Sequence, residues 1–219
     1  MDELLHEAEI AHGHLCAGQI LGVRMAMLAL QRLGIDDPRR RQNEDGSLNP
    51  DRKRLVTFVE IDRCATDAIG VVTGCRLGKR ALKFRDWGKM AATFIDLPSG
   101  RAIRIAALES SKQRAREMYP EIENKNQQQM RAYREMSDAD LFGEEWVEVT
   151  LEAKEFPGYK SGRIACAVCG EGINYDRFVE REGQTLCMAC AHPEERYYRP
   201  VKDAAAEPVE VPAAKCECG

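Results

Sequence analysis

Histidine is scarce in this chain of 219 residues, numbering four, and aromatic residues make up only 6% of it. No apolar run approaches the ~20 residues that a helical bilayer span needs. The N-terminal stretch MDELLHEAEI is acidic where a secretory leader is basic and then apolar. These absences exclude a helical membrane span and predict a cytoplasmic address. A large charge of one sign is also missing: 32 Lys and Arg stand against 36 Asp and Glu, a formal net charge of −4. Nucleic acid is therefore the less favoured class of partner. Hydrophobic content of 44% with 31% charged residues fits a globular chain able to bury a core.

Cysteine is not scarce. An odd count of nine in a cytosolic chain favours thiolates that bind metal or react over disulfides.

The pattern along the chain predicts an α+β core of mixed helices and largely antiparallel sheet over residues 1–156, a small four-cysteine module over 163–198, and a flexible tail over 199–219. Leu4, Leu5, Ala8 and Ala11 recur at helical spacing behind Asp2, a candidate N-cap. A second helix is expected over about 17–33, closed by Gly34, with Gly18, Gly22 and Ala26 forming a smooth stripe for close packing. DDPRRRQNEDGSLNPDRKR is polar and turn-rich, hence a loop. RLVTFVEIDRC alternates as a strand, and a short helix over about 65–73 stops at Gly74 before Cys75. RALKFRD, KMAATFID and RAIRIAAL follow as strands joined by turns, the pattern of an antiparallel meander. Helices then return from 109 to about 142, and WVEVTLEAKEF reads as a last strand before the linker PGYKSG.

The most specific motif is CAVCGEGINYDRFVEREGQTLCMAC, in which Cys166 and Cys169 form one pair and Cys187 and Cys190 another. Two knuckles of this kind close a tetrahedral zinc shell that leaves no position open, the hallmark of a structural site. A redox dithiol and an iron–sulfur cluster are the lesser alternatives. A hairpin with Gly172 and Gly183 at turns should join the pairs, and so small a unit needs its metal to fold. Its acidic and basic residues offset one another, so a protein contact or internal bracing is favoured over nucleic acid. Cys216 and Cys218 in the tail have no evident partners.

A second constellation lies in AHGHLCAGQILG. If residues 12–16 are extended, His12, His14 and Cys16 share one side; if helical, only His12 and Cys16 do. Cys16 would stand at a helix N-terminus, where thiolate is favoured, and imidazole with thiolate suits zinc or a related transition metal. Cys64, Asp67 and Cys75 sit at ends of predicted elements, and a fold that carries Cys64 to Cys16 would leave an incomplete shell with an open position.

HGHLCAGQILGVRMA and CATDAIGVVTGCRLGKRALKFRDWGKMAATF together resemble the two signatures of the FmdE family, named for a component of formylmethanofuran dehydrogenase. The likeness spans about residues 8–155, with Ala17 where the family usually has proline. The resemblance implies an α+β core, a homodimer, a pocket gathering His14, Cys16 and Cys64 as a metal or reactive-thiol site, and a C-terminal treble-clef finger. Cys16 and Cys64 are then the candidate catalytic residues, while His12, Asp67 and Cys75 are candidates for binding a cofactor. The chain lacks the repeated Cys-x2-Cys-x2-Cys spacing of iron–sulfur carriers, so the implied role is an accessory one in one-carbon, methanofuran-type or pterin-cofactor metabolism, with a protein partner in a larger complex. The competing expectation is a zinc-finger regulator or adaptor whose core senses a metal or ligand.

Overall fold

A computed structural model describes residues 1–198 of the protein. The tail expected over 199–219, with Cys216 and Cys218, lies outside the described residues. The chain divides into two compact units, Met1–Leu151 and one that begins at Glu152.

In the first unit, helix α1 (Asp2–His12) ends at Gly13, which takes the left-handed conformation at φ 97° and so turns the chain without the penalty of a Cβ. Asp2 lies within the first turn and Met1 occupies the N-cap position expected of it. Residues 14–16 run on to helix α2 (Ala17–Leu33), with extended Cys16 as its N-cap and left-handed Gly34 closing it. Nearly every residue of α2 is buried, because the helix threads the middle of the unit.

Strand β1 (Leu55–Val59) is followed by helix α3 (Cys64–Thr73) and strand β2 (Leu82–Phe84), which lies parallel to β1. Strands β3 (Ala91–Asp96), β4 (Ala102–Ala107) and β5 (Phe142–Val147) pair antiparallel, giving the order β2-β1-β3-β4-β5. The expected meander is thus corrected at β2. It pairs across β1 after a helical crossover rather than folding back on β3, and α3 supplies the crossover that a parallel pair requires. The last strand also begins earlier than the sequence suggests. Apolar alternation runs on through Val147, Val149 and Leu151, but beyond Val147 these side chains pack over Val56, Ile95 and Ala102 instead of extending the ladder. Helices α4 (Ser110–Met118), α5 (Lys125–Glu135) and α6 (Asp138–Leu141, capped by Ser137) connect β4 to β5.

The main core gathers Ile20, Val23, Met25, Phe94, Ile103, Ile105, Tyr133 and Leu141 between α2 and one face of the sheet. Two partly buried ion pairs fasten the strands, Arg104 clasping Glu60 at 2.7 Å through both oxygens and Arg54 clasping Asp96 at 2.9 Å.

Helices α2 and α3 cross unusually closely. A Cβ placed on Gly22 would stand 2.5 Å from the Ala65 carbonyl oxygen and 2.8 Å from the Ala65 Cα. Only glycine allows that approach, so the small-residue stripe is explained by packing.

The second unit holds two short ladders, β6 (Ile164–Ala165) with β7 (Gly172–Ile173), and β8 (Phe178–Arg181) with β9 (Gln184–Cys187), followed by helix α7 (Met188–Ala191). Glu182 and Gly183 both have positive φ, which suits the two-residue turn between β8 and β9. Gly172 lies in β7 rather than at a turn; Gly170, at φ 75°, takes the tight position after Cys169.

Candidate metal centres

Four sulfurs converge in the second unit. The Sγ atoms of Cys166, Cys169, Cys187 and Cys190 all lie within 4.8 Å of one another, with 3.9 Å between Cys169 and Cys187. Zinc–sulfur bonds of about 2.3 Å in a tetrahedron separate the sulfurs by about 3.8 Å, so the donor set fits zinc. The local sequence explains the convergence: Cys166 precedes a tight turn at Gly170, and Cys187 caps α7, which carries Cys190. Backbone N–H groups of Cys169 and Cys187 pull the Cys166 thiol down to about 6, while its neighbour Cys187 and burial push Cys190 up to about 12. Four thiols this close share their protons unequally, and a dication resolves the conflict by taking all four as thiolates. The unit buries Cys166, Ile173, Leu186 and Ala191 as its apolar centre, too little to hold a fold without that ion.

The second constellation sits where α1 ends and α2 begins. His12 is the last residue of α1, Gly13 reverses the chain, and the extended residues that follow bring His14 and Cys16 back beside it. One donor atom each from His12, His14 and Cys16 lies within 4.8 Å of the others. The His12 Nδ1 is 2.8 Å from Asp67 Oδ2 on the first turn of α3. That contact leaves Nε2 as the free nitrogen of His12, the arrangement in which a carboxylate orients a metal-binding imidazole from behind. Tetrahedral coordination needs N···N and N···S separations near 3.5 Å, so a shift of about an ångström would close the set on a transition metal.

Cys64 opens α3 against the same place. A Cβ on Gly18 would lie 3.2 Å from Cys64 Cβ and 3.7 Å from Cys16 Sγ, which sets the two cysteines on either side of one small gap. The close crossing of α2 and α3 at Gly22 is what delivers Cys64 and Asp67 to residues some fifty positions earlier in the chain. Cys75 is not brought there. It follows the far end of α3, roughly 15 Å away at 1.5 Å per helical residue, buried with its sulfur 3.6 Å from Thr57 Oγ1 and 3.7 Å from the Leu55 carbonyl. Burial pushes its thiol up, as suits a neutral core residue.

Two residues of the site escaped the sequence reading. Gln19 is fully buried; its Nε2 donates to the Cys64 carbonyl at 3.4 Å, and its Oε1 has no partner among the described residues. A glutamine within an otherwise apolar helix face was a legible signal. Asn126 on α5 accepts from the Ala17 N–H at 3.0 Å and so caps α2 from more than a hundred residues away, which no local pattern announces.

A family model described as FmdE, molybdenum formylmethanofuran dehydrogenase operon, matches residues 11–143. The chain belongs to the FmdE family. A second model, the prokaryotic dksA/traR C4-type zinc finger, matches residues 158–196, in keeping with the four-cysteine cluster. The FmdE-type core also resembles a probable S-adenosyl-L-methionine-binding protein of Archaeoglobus fulgidus, 33% identical over 105 residues, which are 48% of this chain and 26% of that protein. The chain thus spans about a quarter of that relative. Among solved structures, an FmdE-like protein of the tungsten formylmethanofuran dehydrogenase type, from Syntrophus aciditrophicus, aligns with a TM-score of 0.58 at 18% identity, covering 89% of this chain and 94% of that one. The likeness at that identity is one of fold.

Proposed function

We propose that this FmdE-family protein binds two metal ions of different purpose: a structural zinc in the four-cysteine finger, and a transition metal held in the core by His12, His14 and Cys16. Cys64 stands beside the core ion as a second thiolate, available as a fourth ligand or as the group that meets a bound molecule. Asp67 orients His12. The observation that supports this most is the gathering of two imidazoles and a thiol within 4.8 Å, with a carboxylate 2.8 Å behind one of them. Three protein ligands leave one coordination position for a substrate or water, which such an ion polarises.

Within this reading the protein acts as an accessory component of one-carbon, methanofuran-type or pterin-cofactor metabolism, paired as a homodimer and joined to a protein partner. The finger is a treble clef that braces the chain or contacts that partner. Cobalt reconstitution tests the core site directly. Wild-type protein should show two spectroscopically distinct cobalt populations, and Asp67→Asn should weaken only the core population, by roughly 10- to 100-fold in affinity. A single population with finger-like sulfur coordination, unchanged in Asp67→Asn, would overturn the core metal.

A further inference from the structure

The segment from Arg76 to Lys89, RLGKRALKFRDWGK, carries six basic residues and one acidic in a chain whose net charge is −4. It forms the outer border of the sheet. A short turn over Leu77–Lys79 leads into β2, the edge strand, and the loop beyond β2 hangs from the end of β1, with the Trp87 and Lys89 N–H groups both donating to the Glu60 carbonyl. Basic groups and rings alternate along this border: Arg76, Lys79 and Lys89 are exposed, as are Leu77 (66%), Phe84 (38%) and Trp87 (63%).

The basic loop over 36–54 is different in kind. There Arg39 is paired with Glu7 and Asp37, Arg40 with Asp37, and Arg54 with Asp51 and Asp96, so its charge is spent within the protein. Along the β2 border, Arg80, Lys83 and Arg85 already have interactions of their own, but Arg76, Lys79 and Lys89 make no ion pair among the described residues. A flat aromatic surface interleaved with unpaired cations is unfavourable to maintain for the fold's sake, and Trp87 leaves most of its ring in solvent.

We propose that this border binds single-stranded nucleic acid, with Arg76, Lys79 and Lys89 on backbone phosphates and Trp87 and Phe84 as stacking surfaces for bases. The chemistry favours a single strand over a duplex, because an open strand edge with flat rings offers stacking and no helix for a groove. It favours nucleic acid over an acidic peptide, because rings at this density match a ligand that alternates charge with π-faces.

The full-length zinc-loaded protein, carrying Trp146→Phe so that fluorescence reports Trp87 alone, is titrated with a 12-nucleotide oligothymidylate. Binding at 50 mM salt should quench Trp87. Three phosphate contacts give a slope of about −2 in log affinity against log salt, hence a loss of ~20-fold between 50 and 200 mM. Lys79→Glu with Lys89→Glu should flatten that slope to about −0.7. Trp87→Ala, followed by fluorescence anisotropy of a labelled strand, should weaken binding by roughly 5- to 100-fold. Circular dichroism confirms that these exposed substitutions leave the fold intact, and the single variant Trp87→Ala carries the test if the double charge reversal does not fold. Absence of binding at 50 mM salt overturns the proposal. So does equal affinity for polyglutamate, which would make the border a site for acidic protein, and so does binding that survives these changes but is lost in Arg177→Glu with Arg181→Glu, which would assign it to the finger.

Discussion

Replacing Gly22 by alanine should destabilise the first unit, although alanine is the better helix former. The added methyl would meet the Ala65 carbonyl oxygen at 2.5 Å, the Ala65 Cα at 2.8 Å and the Ala68 Cβ at 2.8 Å. Two of these are backbone atoms and none is the end of a flexible side chain, so α3 as a whole must move. Overpacking of this kind costs about 1–3 kcal/mol, here toward the upper end. Helix propensity returns about 1 kcal/mol, leaving a net loss of about 2 kcal/mol. With a urea m-value of about 2 kcal/mol per molar, the midpoint should fall by about 1 M. The assay is selective without truncating the chain: both tryptophans, Trp87 and Trp146, lie in the first unit, so their fluorescence follows that unit. Gly78→Ala is the control, since a Cβ there meets nothing within 4 Å. Because α3 carries Cys64 and Asp67, Gly22→Ala should also weaken the core metal. A wild-type midpoint in Gly22→Ala would refute the close crossing and with it the explanation of how the site is assembled.

Chelation of zinc should unfold the finger, seen as loss of protection from proteolysis after residue 158, while tryptophan fluorescence stays unchanged; a concerted change of both signals would contradict two separate units. Arg104→Met leaves Glu60, 2% exposed, without its partner, and should cost about 3–5 kcal/mol by urea unfolding; a loss under 1 kcal/mol would count against the pair. Asp96 gives a pH dependence. Burial alone would raise its pKa, but Arg54 and the Ser99 hydroxyl overcome this and hold it below the usual carboxylate value. A depressed carboxylate contributes stability that is fully present above its unfolded pKa of about 4 and is lost as pH falls through the lower folded value. Unfolding free energy measured from pH 6 to pH 2 should therefore decline below about pH 4, and less steeply in Asp96→Asn; identical slopes would remove the effect.

The helices and the finger were largely legible in the sequence, because each rests on short-range chemistry: Gly13 and Gly34 as left-handed stops, Ser137 as a cap, paired cysteines at knuckle spacing. What local pattern could not carry was pairing between distant segments. β2 reads as one arm of a hairpin, yet the α3 crossover sends it to the outer edge of β1. The alternation after Trp146 promises a strand, but Val149 and Leu151 serve the far face of the sheet as a cover. The core constellation was legible in part. Period-two spacing anticipated His12, His14 and Cys16 on one side, and the crossing of α2 and α3 sets Cys64 next to them. Asp67 stands behind His12 instead of reaching the ion, and Cys75, which sequence places at an element's end just as it does Cys64, lies at the opposite end of the same helix. Spacing cannot tell which end of a helix a fold will use.

Metal content per chain is the most direct test of the two-site account. Elemental analysis of protein purified without chelators should give two equivalents, falling to one in the variant carrying His12→Ala, His14→Ala and Cys16→Ser, with the finger's zinc retained. A single equivalent in both proteins would contradict the core site and leave the four-cysteine finger as the one metal centre.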